Sequence, residues 1–150
     1  MALNLQIAEN GYDLDMPVAN YSGTDIPANF LVQIDTTYYN SASQTIDGLG
    51  VILPSGGGVR CVGVTLEIIK AGAAAGTPGT AGRVRFFGPL AVCIATAAIN
   101  VNAQVMADNT TPGNVKTYAS AAVVLGIALT QAGAAGDQIL VMLSAGQVAV

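Results

Sequence analysis

With 150 residues, 52% of them hydrophobic and 9% charged, the chain is one domain's worth of sequence. A domain of that size buries roughly 70% of its unfolded surface, so a core is available without disulfide or metal staples. There is no His and no Trp, which removes the commonest general base, the commonest metal ligand and the usual partner of a nucleophilic Ser or Cys. Five bases against nine acids leave a net charge of −4, the opposite of the basic stripe that nucleic acid requires.

The first 18 residues predict a hairpin. Leu3, Leu5 and Ile7 alternate with Asn4, Gln6 and Ala8, while Tyr12, Leu14 and Met16 alternate with Asp13 and Asp15. Asn10-Gly11 between them is the favoured two-residue turn, because both central positions need positive φ. That turn sets Ile7 opposite Leu14, Leu5 opposite Met16 and Leu3 opposite Val18, with the apolar residues on one face. An isolated two-stranded hairpin is marginal in water, so this face must be covered by the rest of the chain or by another molecule. Leu3, Leu5, Ile7, Leu14 and Met16 are therefore the candidate interface residues. Pro17 and Pro27 confine what lies between them to edges and loops.

Further along, Phe30 to Ile34 and Leu49 to Leu53 read as strands flanking the polar loop Ser41-Ala42-Ser43-Gln44. Pro54-Ser55-Gly56-Gly57-Gly58 is a turn before the strand-like run from Val59 to Leu66. Val105 to Ala107 and Val115 to Tyr118 bracket a hairpin turn, Asn109-Thr110-Thr111-Pro112-Gly113-Asn114. Helix is confined to one or two turns at Ala71 to Ala75 or Ala119 to Ala122, since Gly72, Gly76 and Pro78 break anything longer. The expected fold is all-β: a small compact barrel or sandwich with an N-terminal hairpin or arm, residues 1–22, followed by a single β-domain, residues 23–150.

That domain is written twice. Ile26-x-x-Asn29-x-x-Val32-x-x-Asp35 returns as Ile99-x-x-Asn102-x-x-Val105-x-x-Asp108, and Gly63-Val64-Thr65-Leu66 returns as Gly126-Ile127-Ala128-Leu129. Each second box precedes an Ala-Gly-Ala-Ala run, at 71–74 and 132–135. A strand-like segment follows, Arg83-Val84-Arg85-Phe86-Phe87 or Gln138-Ile139-Leu140-Val141-Met142-Leu143. The offset shrinks from 73 to 63 to 61 residues, as in a duplication whose second copy has shorter connections. The expected repeats run from about 26 to 88 and from 99 to 146. Two long copies are not a solenoid, which needs a shorter period and more repeats.

Sites of chemistry are hard to find. Cys61 and Cys93 have no His partner and no C-x-x-C spacing, and buried thiols acting as small hydrophobes are the reading they favour. The glycine-rich stretches at 55–58 and 76–82 lack the Lys-Ser/Thr pair of a phosphate loop. Asp13 and Asp15 share a strand face without a second carboxylate pair. Arg83 and Arg85 share another, where they either meet a neighbouring subunit or face solvent. Glu9, Asp13, Asp15, Asp25, Asp35 and Asp47 all precede the first base, Arg60, and read as solubilising charge on loops. Residues 86–107 and 117–136 carry no charge, yet Pro89, Asn100, Asn102 and Gln104 in the one and Ser, Thr and Gln in the other argue against membrane insertion. The start of the chain has neither the basic nor the apolar region of a secretory signal, so synthesis in a bacterial-type cytoplasm is expected. No catalytic residue, cofactor or metal is expected, and no enzyme.

Taken in order, the boxes resemble the bacteriophage head decoration, or capsid cement, proteins. The likeness rests on Asp25-Ile26-Pro27-Ala28-Asn29 leading into Val32, the Leu53-Pro54 turn, and Gly63-Val64-Thr65-Leu66 with its Ala-Gly loop. It continues through Ala98-Ile99 leading to Val105 and Asp108, and Val124-Leu125-Gly126-Ile127-Ala128-Leu129 before Ala-Gly-Ala-Ala-Gly-Asp and a final strand. Asn29 and Asn102 stand where such proteins often have Gly, and residues 71–82 form a longer loop than typical. The resemblance implies a homotrimer on the outer surface of a phage head, a structural virion protein that binds the major capsid protein and ties capsomers together. It implies neither nucleic-acid nor membrane binding. The N-terminal face would then reach a neighbouring subunit or the shell. The rival is a glycan- or host-surface-binding β-module on a virion or secreted particle, for which Tyr38-Tyr39 is the one aromatic pair that could serve.

Overall fold

The structure is a computed structural model that describes residues 6–7, 14–36, 49–86 and 90–144, with the backbone alone for 6–7 and 14–16. These residues form strands without helix: β1 Gln6–Ile7, β2 Leu14–Asn20, β3 Leu31–Ile34, β4 Leu49–Ile52, β5 Gly63–Thr65 and β6 Gly82–Phe86 in the first half. The second half holds β7 Ala91–Ile94, β8 Gln104–Ala107, β9 Val115–Thr117, β10 Gly126–Ala128 and β11 Gln138–Leu143. The all-β expectation holds. The two alanine-rich segments considered for helix form turns and bends.

In the first half the order β2-β4-β3-β5-β6 closes on itself through β2–β6 pairing, giving a five-stranded barrel to which β1 adds an edge. In the second half the order is β7-β11-β10-β8-β9, and a parallel bridge from Ala95 to Val115 brings the end of β7 to β9. The two arrangements correspond strand for strand, with β2 to β6 matching β7 to β11. Val32 faces Gly63 as Val105 faces Gly126. Val64 faces Arg85 as Ile127 faces Met142. Asn20 runs parallel to Val51 as Ala95 does to Val115.

The recurring sequence boxes are the joints of this unit. Ile26 and Ile69 exchange both backbone hydrogen bonds, at 3.0 and 2.9 Å, and Ile99 and Ala132 do the same at 3.0 and 2.9 Å. The N–H of Asn29 donates to Thr65 O at 2.8 Å, and that of Asn102 to Ala128 O at 2.8 Å. Both Asn residues take left-handed backbone, φ 63 and 65. Asn tolerates that region better than other non-glycine residues because its short side chain bonds locally, which explains its place where Gly is the alternative. Thr77 and Asp137 also fill the same loop position, accepting from the N–H of Ala74 at 3.2 Å and of Ala134 at 3.0 Å.

The repeat is longer than its sequence boxes. β2 matches β7 although the two share almost no residue pattern, so the duplicated unit begins at β2 rather than near Ile26. The expected division at residue 22 accordingly runs through the first barrel: β2 pairs with β6 on one edge and with β1 and β4 on the other. Val18, expected opposite Leu3, has its two edges taken by Leu49 and Gly82.

Each half has an apolar interior, and the two are not alike in reach. Val18, Ile26, Val32, Val51, Ile69, Val84 and Phe86 form a cluster confined to the first half. The larger cluster fills the second half but includes Leu31, Cys61 and Val64 of the first. Leu31 and Val64 are paired across β3 and β5 and point away from their own barrel, yet they are 0% and 1% exposed because the second half covers them. The seam is tied by backbone: Leu31 N–H donates to Gly113 O at 2.7 Å and Val123 N–H to Gly57 O at 2.9 Å. Gly113, φ 91, has no room for a side chain, since a Cβ there would strike the Phe30 ring and Leu53.

The left-handed Asn positions give a direct check. Asn102→Gly is expected to leave thermal stability within a few tenths of a kcal/mol of the parent, whereas Asn102→Val should cost about 1–2 kcal/mol. Calorimetry of the two variants reads the difference.

Candidate functional site

Of the five residues the sequence nominates, Leu3 and Leu5 lie outside the described residues, as do Asn10-Gly11, Ser41 to Gln44 and the Tyr38-Tyr39 pair. Ile7 is paired with Leu14, and Gln6 with Asp15, in the register the hairpin turn demands. Met16 is opposite Val84 of β6. The structure thus brings Ile7 to Leu14, while Leu14 and Met16 are strand positions inside the first barrel.

The polar chemistry serves the loops. Asp25, on an exposed loop, accepts from Lys70 Nζ at 2.7 Å and from Ala71 N–H at 2.8 Å, and these bonds lower its pKa. Arg83 reaches Glu67 at 3.4 Å, both exposed, a pairing that contributes little. Asn20, fully buried, donates to Thr24 O at 2.7 Å and Ile69 O at 3.2 Å while its carbonyl accepts from Ser22. Its counterpart in the second half is Ala95.

Asp35 and Asp108 end the repeated motif and are 1% and 3% exposed, so Asp35 is not the loop charge its sequence position suggested. Asp108 meets Lys116 Nζ at 3.0 Å, Thr110 Oγ1 at 2.7 Å and Thr111 N–H at 3.0 Å. Desolvation opposes its ionisation, but the hydrogen bonds from Thr110, Lys116 and the Thr110 and Thr111 N–H groups outweigh it and hold the pKa at about 2. Cys61 and Cys93 are buried thiols not joined by a disulfide. Burial pushes both pKa values up to about 12, with Cys61 adding to the effect on Cys93, so neither is a thiolate at neutral pH.

Among the described residues no group of three or more Cys, Asp or Glu is placed to hold a metal ion. No helix among them is long and apolar enough to cross a membrane. What the surface does carry is exposed apolar area in the second half. Leu90, Val92 and Met142 are 41%, 38% and 42% exposed. Val92 faces Leu140 and Ile127 faces Met142 across neighbouring strands, so these residues form one outer face on β7, β11 and β10. A groove of about 360 Å³ opens there, lined in part by Gln104, Val124, Ile127 and Met142. The same face of the first half carries Pro17, Arg83 and Arg85 on β2 and β6.

Sequence reasoning passed over this face, but its signal was present. Arg83-Val84-Arg85-Phe86 alternates, as a strand with one wet face does. Ile139 to Leu143 is apolar without a break, the pattern of a strand covered on both faces.

No known protein family matches the sequence, and no curated protein does. Among solved structures, the chain is similar to the crystal structure of the head fiber gp8.5 N base of bacteriophage phi29. The TM-score is 0.64 at 13% identity, over 92% of this chain and 99% of that one. Likeness at that identity establishes a shared fold.

Asp108 supplies a pH test. A folded pKa of about 2 against an ordinary 3.8 means its contribution is complete above the ordinary value and is lost as pH falls through the folded one. Asp108→Asn should cost about 1–3 kcal/mol at pH 7 and flatten the acid limb of the stability curve below pH 4. Urea unfolding as a function of pH measures both.

Proposed function

We propose that this chain is a structural protein of a bacteriophage head, which binds the outer surface of the shell as a decoration or cement protein and assembles as a homotrimer. The observation that carries the reading is the fold match to a phage head fiber base over nearly the full length of both chains. The order of boxes that resembles the decoration proteins points the same way.

The physical chemistry suits such a role. Nine acids, five bases and no His leave little for catalysis, and the buried carboxylate of Asp108 is spent on closing a loop. An exposed apolar face on rigid strands is what a particle needs to bury surface against partners. A protein that binds only the assembled shell stabilises it by mass action, so its function requires affinity and geometry rather than chemistry.

Purified protein mixed with phage heads lacking it should co-sediment to saturation and raise the temperature at which the heads release DNA. Heads that sediment without it at any concentration, and melt unchanged, would rule out the proposal.

A further inference from the structure

We infer that the outer face of the second half, centred on Ile127 and Met142, docks the first half of a second copy of this chain. The inference deepens the homotrimer named above and rests on it only for the number of copies.

The internal duplication places a second seat on this face. In the first half, Leu31, Cys61 and Val64 form the seat on which the second half sits, and all three are buried in the cluster they share with it. Strand correspondence carries those positions to Gln104, Val124 and Ile127 in the second half, and carries Arg85 to Met142. These are the residues that line the groove. The groove is therefore the same seat, one repeat later, with nothing of this chain among the described residues placed on it.

What fills the first seat is a barrel of this fold, and what fits the second is another. The second half of each copy already sits on its own first half, so the barrel that another copy can offer is its first half. Seat and occupant are different surfaces, so the contact is heterologous and propagates until a ring closes. Three copies would place six similar barrels in that ring. The composition of the second seat agrees: Leu140 and Met142 stand where the first half carries Arg83 and Arg85, and Val92 where it carries Pro17. The first half keeps charge beyond its seat because that margin faces water, whereas the second half extends its apolar surface as a larger interface requires.

The test is sedimentation velocity over a wide concentration range. The parent chain should self-associate, and the double variant Ile127→Gln, Met142→Arg should weaken association by about tenfold or more. Val101→Arg, at an apolar residue 49% exposed in the second half and outside the groove, should not. Circular dichroism checks that the double variant folds; if it does not, Met142→Arg alone, at a surface position, carries the measurement. A parent that stays monomeric throughout overturns the inference, and head binding by that monomer would leave the shell-binding role standing without the homotrimer. Unchanged oligomers in a folded variant that loses head binding would assign the face to the shell and equally overturn it.

Discussion

The burial of Leu31 and Val64 beneath the second half is the contact on which the rest of the molecule depends. Both side chains leave their own barrel, so without the second half they would face water. A barrel of five short strands has a thin interior, and the first half's own cluster contains only seven fully buried apolar residues. Burying a Leu and a Val side chain adds about 1.5–3 kcal/mol each, a large share of the stability of a small domain. The backbone ties from Leu31 to Gly113 and from Val123 to Gly57 cross the same seam, and they fix the relative rotation of the halves. Gly113 is glycine because the loop carrying it lies directly on Phe30 and Leu53.

Duplication also explains how the charges are spent. The first copy keeps long loops and clips them with polar groups: Asn20 to Thr24 and Ile69, Asp25 to Lys70 and Ala71, Thr65 to Pro27 at 2.6 Å. The second copy has shorter loops and sets Ala95 and Ala128 where the first has Asn20 and Thr65. Its polar clips include Asp137, which accepts from Gly133 and Ala134, and Asp108, where a buried carboxylate holds the turn that rests on the first half. Shortened connections need fewer clips, since less chain must be ordered.

The all-β class, most strand positions and the duplication were legible because each rests on local pattern: alternation, glycine-rich turns and repeated boxes. The Asn29 and Asn102 joints were visible for the same reason. The equivalence of β2 and β7 was not, because a strand's place in a barrel is set by its hydrogen-bond partners, and Leu14 to Asn20 and Ala91 to Ile94 share no side-chain pattern to betray them. The N-terminal pairing was read correctly at Ile7 and Leu14, but nothing local announced that β4 would take the edge of Val18. The outer face of the second half was missed where it was most readable, in the unbroken apolar run of β11. Burial also misled at Asp35, whose acidic character suggested a solvated loop but which is buried directly after β3.

The most direct test of this account places in the first seat the residue that the second uses. Leu31→Gln puts a polar amide into the covered seam, while Gln already serves at the matching position, Gln104, on the open face. Guanidinium unfolding followed by two probes, one in each half, is the measurement. The account predicts a loss of about 2–5 kcal/mol with both halves still unfolding in one transition at a lower midpoint, because the seam is part of a shared core. Unchanged stability, or a first half that unfolds while the second stays intact at its original midpoint, would contradict it.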